Sequence, residues 1–464
     1  MKSVALHSLG CKVNSYETEI MQQKLQEKGY EIVPFEGRAD IYIINTCTVT
    51  NMADRKSRQM LHRARQLNPD ALVVAAGCYV QTGREAVEKD HSVDLLIGNN
   101  RKRDIAEILE EYLEGREEPE EKRAPAEKKA DTGEKFQEEG KAETETLDKT
   151  LQGSTVLDIA HTYEFEEAQL LHTAEHTRAY IKIQDGCNQF CSYCAIPYAR
   201  GRARSRREED ILQEIRGLAQ AGYREVVLTG IHISSYGIEE LIGLMEKIHG
   251  IEKVDRIRLG SLEPRIISPD TAKRLACLPK LCPHFHLSLQ SGCDETLRRM
   301  NRHYTTGEYF ASVENLRREF EDPAITTDVI VGFPGETEEE FARTRAFLEK
   351  VRFYEMHIFK YSRREGTAAA AMPNQVPESV KTARSSQLLE LEKRQSAEFR
   401  RKYIGHEVQV LLEETREIDG TMYAIGHTKD YVKVAVRVGA EDKKASNRMA
   451  KVQISGFLSE EILM

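Results

Sequence analysis

Two stretches of this chain alternate short apolar runs with helical patterns, and that alternation constrains the fold more than any other feature. In the first hundred residues, runs at 4–8, 41–45, 72–76 and 93–97 read as strands, with helical patterns at 16–28 and 53–66. Strands separated by helices require right-handed crossovers and a parallel sheet. A second series follows at 179–184, 225–228, 256–259, 284–289, 325–331 and 356–359, with helical stretches such as 208–221 and 337–350 between strands. Six such units predict a partial parallel (β/α)6 barrel with its site at the carboxyl-terminal face. A polar helix over 379–401 then leads into a β-rich tail at 408–412, 422–425, 431–438 and 452–454. Asp419-Gly420 marks a hairpin there, and a small β-barrel is the expected form.

The predicted class is therefore α/β, in four parts: an N-terminal sheet domain over 1–110, a linker or insertion over 111–175, the barrel over 176–400 and the tail over 401–464. The linker follows from charge. Residues 111–150 hold 14 acidic and 8 basic side chains, a net of −6, and little apolar bulk. Such a segment cannot bury enough surface to offset its ordering entropy. No apolar run reaches the length of a membrane helix, and the N-terminus lacks a secretory pattern, so the expected location is the cytoplasm, away from any membrane.

Nine cysteines are an odd number for a disulfide framework, and in a cytosolic chain they point to metal binding. Cys11, Cys47 and Cys78 each follow a predicted strand, 36 and 31 positions apart. Loops beyond the carboxyl ends of parallel strands gather on one edge, so these three are expected to form a metal site. The alternative is three unrelated buried thiols. Cys277, Cys282 and Cys293 lack ligand spacing and read as core or incidental thiols. His284, His286 and His303 read as satisfied core or surface groups, and Asp328 is a candidate pocket-facing carboxylate.

The densest motif is Cys187-x3-Cys191-x2-Cys194, directly after the first barrel strand. Three thiolates in one tight loop suit a [4Fe–4S] cluster with one iron left for another ligand. The competing reading, structural zinc, needs a fourth protein ligand, which Cys277, Cys282 or Cys293 could supply.

With Tyr193 just before its last cysteine, this triplet resembles the radical S-adenosylmethionine signature. The resemblance implies that S-adenosylmethionine chelates the open iron, that Tyr193 lies near its adenine, and that reduction yields a 5′-deoxyadenosyl radical. It also implies cofactor contacts at later strand ends, through Gly230, Glu263, Ser288, Gln290 and Gly332. Gly10-Cys11-Lys12-Val13-Asn14, Asn45-Thr46-Cys47, Gly77-Cys78 and the block 186–206 further resemble the methylthiotransferase family. That resemblance implies a second [4Fe–4S] cluster on Cys11, Cys47 and Cys78, a TRAM-like C-terminal barrel, an external electron donor and a sulfur source.

Lys12-Val13-Asn14 resembles the subgroup acting on N6-threonylcarbamoyladenosine of tRNA, where the isopentenyladenosine subgroup usually has Gln-Met-Asn and the ribosomal-protein subgroup Pro-Lys-Asn. Arg200, Arg202, Arg204, Arg206 and Arg207 form a basic run beside Tyr198, the first four being the candidate RNA contacts, since arginine forks suit RNA phosphate. The competing reading pairs that run with Glu208, Glu209 and Asp210. A net charge of −9 excludes a generally basic coat, so RNA contact must be local. The expected function is methylthiolation of tRNA at C2 of threonylcarbamoyladenosine beside the anticodon. The alternatives are methylthiolation of a ribosomal-protein aspartate and a non-catalytic iron–sulfur RNA-binding sensor.

Overall fold

The computed structural model describes residues 1–117, 154–173, 177–439 and 446–464. The N-terminal unit is a parallel sheet of β1 (Ser3–Ser8), β2 (Glu31–Ile32), β3 (Ile41–Thr46), β4 (Leu72–Gly77) and β5 (Leu95–Ile97), in the order β2-β1-β3-β4-β5. The sequence announced four of these; β2 is two residues long, too short to leave a period. Every residue of β3 and β4 is buried, as expected of central parallel strands covered on both faces. Helices Lys12–Glu27 and Ile105–Glu117 contribute apolar side chains to one face, and Asn51–Leu67 to the other.

Most of the acidic run, from residue 118 onward, lies outside the described residues. The later part of the expected linker or insertion, residues 154–173, packs against both units. Thr155 pairs alongside Ile97 at the β5 edge, and Leu170 packs against Tyr16 and Ile20. The apolar run Thr155-Val156-Leu157 buries itself there because β5 offers an unpaired backbone edge.

The second unit carries six parallel strands in two sheets: β6 (Ala179–Asp185), β8 (Glu225–Gly230) and β9 (Arg256–Leu259), then β10 (His284–His286), β11 (Ala324–Val331) and β12 (Glu355–Lys360). β7 (Arg204–Ser205) adds an antiparallel edge to β6. Bridges Ile257–Leu281 and Leu262–Leu287 join the sheets. Among the described residues nothing pairs β12 with β6, so the barrel is open on that side. Ile181, Val226, Leu228, Ile257, Phe285, Val329 and Met356 pack outward among the surrounding helices. Strand alternation then turns Lys182, Glu225, Arg256, Arg258, His284, His286 and Asp328 inward, giving a polar lumen.

The tail forms an antiparallel sheet of β13 (Glu407–Ile418), β14 (Thr421–His427), β15 (Lys433–Arg437) and β16 (Arg448–Gln453), in the order β15-β14-β13-β16. The expected barrel thus takes the form of a four-stranded sheet, continued at β15 by a bridge from Val434 to Leu463. Asp419-Gly420 makes the predicted two-residue hairpin, with φ of 48° and 74°. This unit plugs the amino-terminal end of the barrel. Arg256 donates to the carbonyls of His427 and Gln409 at 2.9 and 2.8 Å, and Tyr431 lies between the guanidiniums of Arg178 and Arg258, 4.8 Å from each. No helix among the described residues is long and apolar enough to cross a membrane.

A buried charge network locks the first unit to the second. Arg200 donates to Glu17 at 2.8 and 3.0 Å, to Asp185 at 3.0 Å and to Asn14 Oδ1 at 2.6 Å, with no exposure to solvent. Lys182 reaches Glu17 and Asp185, each at 2.7 Å, and Lys102 also pairs with Glu17. Removing one member of such a network leaves the others desolvated and unpaired. Arg200→Met is expected to cost about 3–5 kcal/mol, read as a lowered midpoint in urea and thermal unfolding.

Candidate iron–sulfur and cofactor site

The three N-terminal cysteines do meet. Ser8 pairs with Asn45 and Thr46 with Gly77 in register, so β1, β3 and β4 end level and Cys11, Cys47 and Cys78 follow on one edge. Asn14 ties the loops by donating to the carbonyls of Leu9 and Thr46 at 2.7 and 2.9 Å, while Asn45 donates to the carbonyl of Asn14 at 3.0 Å. Gly10, at φ +100°, lets the first loop approach the second: an added Cβ would sit 2.6 Å from Cys47 Sγ. Cys47 and Cys78 are buried and Cys11 is exposed.

The triplet loop stands opposite. The short helix from Cys78 to Thr82 packs on the one from Ile196 to Arg200, just after Cys194, and Asn99 donates to the carbonyl of Ala199 at 2.7 Å. Cys187, Cys191 and Cys194 act on one another electrostatically. Backbone amides of Gln189 and Ile196 approach Cys187 and Cys194 sulfur at 3.5 and 3.4 Å. Arg302 reaches Cys191 Sγ at 3.3 Å.

Both sets fit iron–sulfur ligation on chemical grounds. All nine cysteines are free thiols. Burial pushes Cys47 and Cys187 up to about 11 and Cys194 to about 12, so thiolates there require a positive partner such as a metal. Among the described residues, the group of donors lying within 4.8 Å of one another is His286, Asp328 and His357, not either cysteine set. Each set offers three thiols and no fourth protein ligand in its loop, which suits a cluster with one open iron better than a closed tetrahedral zinc site. The network behind Cys11 points the same way. Lys102, Lys182, Arg200 and Arg204 stand against Glu17, Asp185 and Glu166, four cations to three carboxylates, and Arg200 acts directly on Cys11, Cys47 and Cys78. Thiolate-held clusters would absorb that surplus of positive charge.

The remaining predicted residues divide. Glu263 lies at the mouth, where Gln189 approaches it at 3.3 Å; despite burial, the His232 hydrogen bond and the Arg265 guanidinium hold it down near 2. Ser288 belongs to the same wall, its carbonyl accepting from Tyr304 at 2.6 Å, and Tyr304 accepts from Arg302 at 3.1 Å. Gln290 takes a left-handed backbone at φ 69° between β10 and β11. Gly230 ends β8 against Gln184, and Tyr193 packs edge-on to Phe333, ring centroids 6.5 Å apart. At Gly332 the space a Cβ would fill is taken by Lys381 Cγ at 2.3 Å, so this glycine lets the helix Glu378–Arg401 pack close.

The arginine run is corrected. Arg200, Arg204 and Arg206 are buried, and their forks point inside the protein: Arg200 as above, Arg204 to the carbonyls of Arg200 and Arg202, Arg206 to Glu214 and Glu167. They offer nothing to phosphate. The expected pairing with the next helix start occurs only at Arg207, which binds Asp210. Arg202, over the Phe190 ring, and Arg207 stay exposed. Sequence reading passed over Arg302, Tyr304, Gln189 and His232, since single residues in irregular loops carry no period or spacing.

One layer deeper, Asp328 faces inward as a candidate should, 3.3 Å from His286 Nε2. Lys12 enters the same lumen from the first unit; burial, with Arg178 and Arg258 close by, pushes its ammonium down to about 8. A cavity of 840 Å³ lies far from the cysteines, between β12, the helix Glu378–Arg401 and the tail, with lining of mixed charge.

Comparison with known proteins agrees with this geometry. Residues 181–348 match the Radical SAM superfamily, and residues 3–98 match the group described as Uncharacterized protein family UPF0004. The chain is 37% identical to the threonylcarbamoyladenosine tRNA methylthiotransferase of Bacillus subtilis (strain 168), over 98% of this chain and 95% of that protein. It is 35% identical to the tRNA-2-methylthio-N(6)-dimethylallyladenosine synthase of Methylacidiphilum infernorum (isolate V4), over 89% and 84%. The radical S-adenosylmethionine methyltransferase TsrM from Kitasatospora setae shares the fold, with a TM-score of 0.57 at 16% identity over 79% of this chain and 74% of that one. Membership of the superfamily implies a [4Fe–4S] cluster and S-adenosylmethionine. Two facing cysteine sets on this double-unit framework, with full-length similarity above 30%, establish that the chain belongs to the radical S-adenosylmethionine methylthiotransferase family.

Proposed function

We propose that this protein is a tRNA methylthiotransferase that places a methylthio group on C2 of N6-threonylcarbamoyladenosine at position 37, next to the anticodon, working in the cytoplasm. The observation that carries the reading is the opposition of two three-cysteine sets across one interface, in a chain similar along its length to threonylcarbamoyladenosine enzymes. A non-catalytic sensor would need neither a second set nor a furnished mouth.

Cys187, Cys191 and Cys194 would hold one [4Fe–4S] cluster and Cys11, Cys47 and Cys78 a second. When bound, the first cluster with S-adenosylmethionine supplies a carbon radical able to take hydrogen from an unactivated C–H bond, work no side-chain base can do. Arg302 fixes the Cys191 sulfur by a hydrogen bond, and through Tyr304 it is braced against β10. Glu263, held ionised by His232 and Arg265, offers an acceptor at the barrel mouth, where a cofactor's amine or hydroxyls would bind. Tyr193 presents a ring beside Phe333 against which an adenine could pack. The buried network at Arg200 keeps the two sets face to face. The electron donor and the sulfur source come from outside the chain.

Two measurements test this. Anaerobically reconstituted protein, given S-adenosylmethionine, reductant, sulfide and tRNA from cells lacking the activity, is expected to yield methylthio-threonylcarbamoyladenosine by nucleoside mass spectrometry, with the product gone in Cys191→Ala. No such product alongside cleavage of S-adenosylmethionine would overturn the substrate. Iron analysis is expected to give about eight irons per chain, falling to about four in Cys47→Ala; four in the parent protein would remove the second cluster.

A further inference from the structure

The relatives raise a question that the shared fold leaves open. At nearly equal identity, some bear names for a threonylcarbamoyl substituent and others for a dimethylallyl one. The first ends in a carboxylate, and the second is an uncharged hydrocarbon. A protein acting on the first needs a cation where that substituent comes to rest, and an unsatisfied cation there also rejects the second.

Lys12 meets the requirement. It opens the helix Lys12–Glu27, directly after Cys11, so the positive pole of that helix adds to its own charge. Its ammonium has no hydrogen bond or ion pair with any described residue. It lies in the field of Arg178, Glu225 and Arg258 and acts in turn on His284. Glu225, Arg258 and His284 sit on β8, β9 and β10, and Arg178 immediately precedes β6, so the side chain reaches across the interface into the barrel. The other charges around it are paired. Arg178 pairs with Glu413 at 3.1 Å, and Arg256 and Arg258 share Glu225 at 3.6 and 2.7 Å. Asp430 also faces Arg256 and Arg258, and Asp328 pairs with His286, so each of these charges has a counterpart while Lys12 has none, and His284 is kept neutral by burial and by its cationic neighbours. A half-buried ammonium with no partner is costly unless an anion completes it.

We propose that Lys12 is the specificity-determining residue of this enzyme, its ammonium binding the carboxylate of the threonylcarbamoyl group within the barrel lumen. The inference rests on the function proposed above. Because Lys12 is the neighbour of Cys11, a single turn of chain serves the sulfur-bearing site and the recognised end of the same nucleotide. Arg178 and Arg258 contribute field and remain tied to Glu413 and Glu225, which leaves Lys12 as the cation free to pair.

The test compares two anticodon stem-loop RNAs on the reconstituted full-length protein, one with threonylcarbamoyladenosine and one with its carboxylate converted to a neutral methylamide. The parent enzyme is expected to lose about 10- to 100-fold in kcat/KM on the neutral RNA, mostly through KM. Lys12→Gln should lose as much on the charged RNA and nothing further on the neutral one, with Lys12→Arg recovering most of the loss. Iron content in each variant guards against damage at adjacent Cys11. Equal losses for Lys12→Gln on both RNAs would overturn the proposal. So would a parent enzyme indifferent to the carboxylate, a result that stands even if Lys12→Gln loses iron. A parent enzyme forming no methylthio product on the charged RNA would instead refute the proposed function.

Discussion

The structure depends on one buried cluster of charge. Arg200, fully enclosed, bonds to Glu17 and Asn14 of the first unit and to Asp185 at the end of the first barrel strand. Everything that makes the site follows from that contact, because it fixes the edge bearing Cys11, Cys47 and Cys78 against the loop bearing Cys187, Cys191 and Cys194. Buried ion pairs add little net stability against an apolar alternative, but they are directional, and breaking one is expensive. Here direction matters more than strength. Two separately folded sheets must present their strand ends to each other, and an apolar contact would let them slide.

The same network also sets the electrostatics of the interface. It holds more cation than carboxylate, and the lumen beneath it leaves the Lys12 ammonium without a partner. Thiolates and their clusters are anionic, and so is the substrate's proposed carboxylate. A chain whose overall charge is −9 therefore concentrates positive potential in its interior, where low dielectric strengthens it, while its surface stays acidic. The arginine run shows how little linear charge density reveals of this. Read along the chain it looks like a phosphate-binding strip, but in the fold three of its members face inward and hold the molecule together.

The strand–helix alternation and the six cysteines were legible in the sequence because each depends on local rules. Apolar runs of strand length mark β3 and β4 whatever surrounds them, and Cys-x3-Cys-x2-Cys is confined to one loop by its spacing alone. Cys11, Cys47 and Cys78 were placed by topology, since parallel strands must end on one edge. The role of Gly332 was not legible, because the atom that fills its missing Cβ comes from Lys381, 49 residues away. Arg302 and Tyr304 escaped for a similar reason: they act only because their loop folds back onto Cys191 and Ser288.

By itself, then, the sequence determined the class of fold, the order of its three units and the two sets of thiols, all consequences of periodicity, short spacing and chain topology. Only the tertiary structure decided which face of each charged side chain meets protein and which meets solvent. It turned Arg200 from an RNA contact into an internal tie, set Thr155 against the edge of the first sheet, and carried Lys12 into the lumen of a barrel whose first strand begins more than 160 residues later. The physical reason is that burial and ion pairing are set by distances between units remote in sequence, and no local pattern encodes those distances.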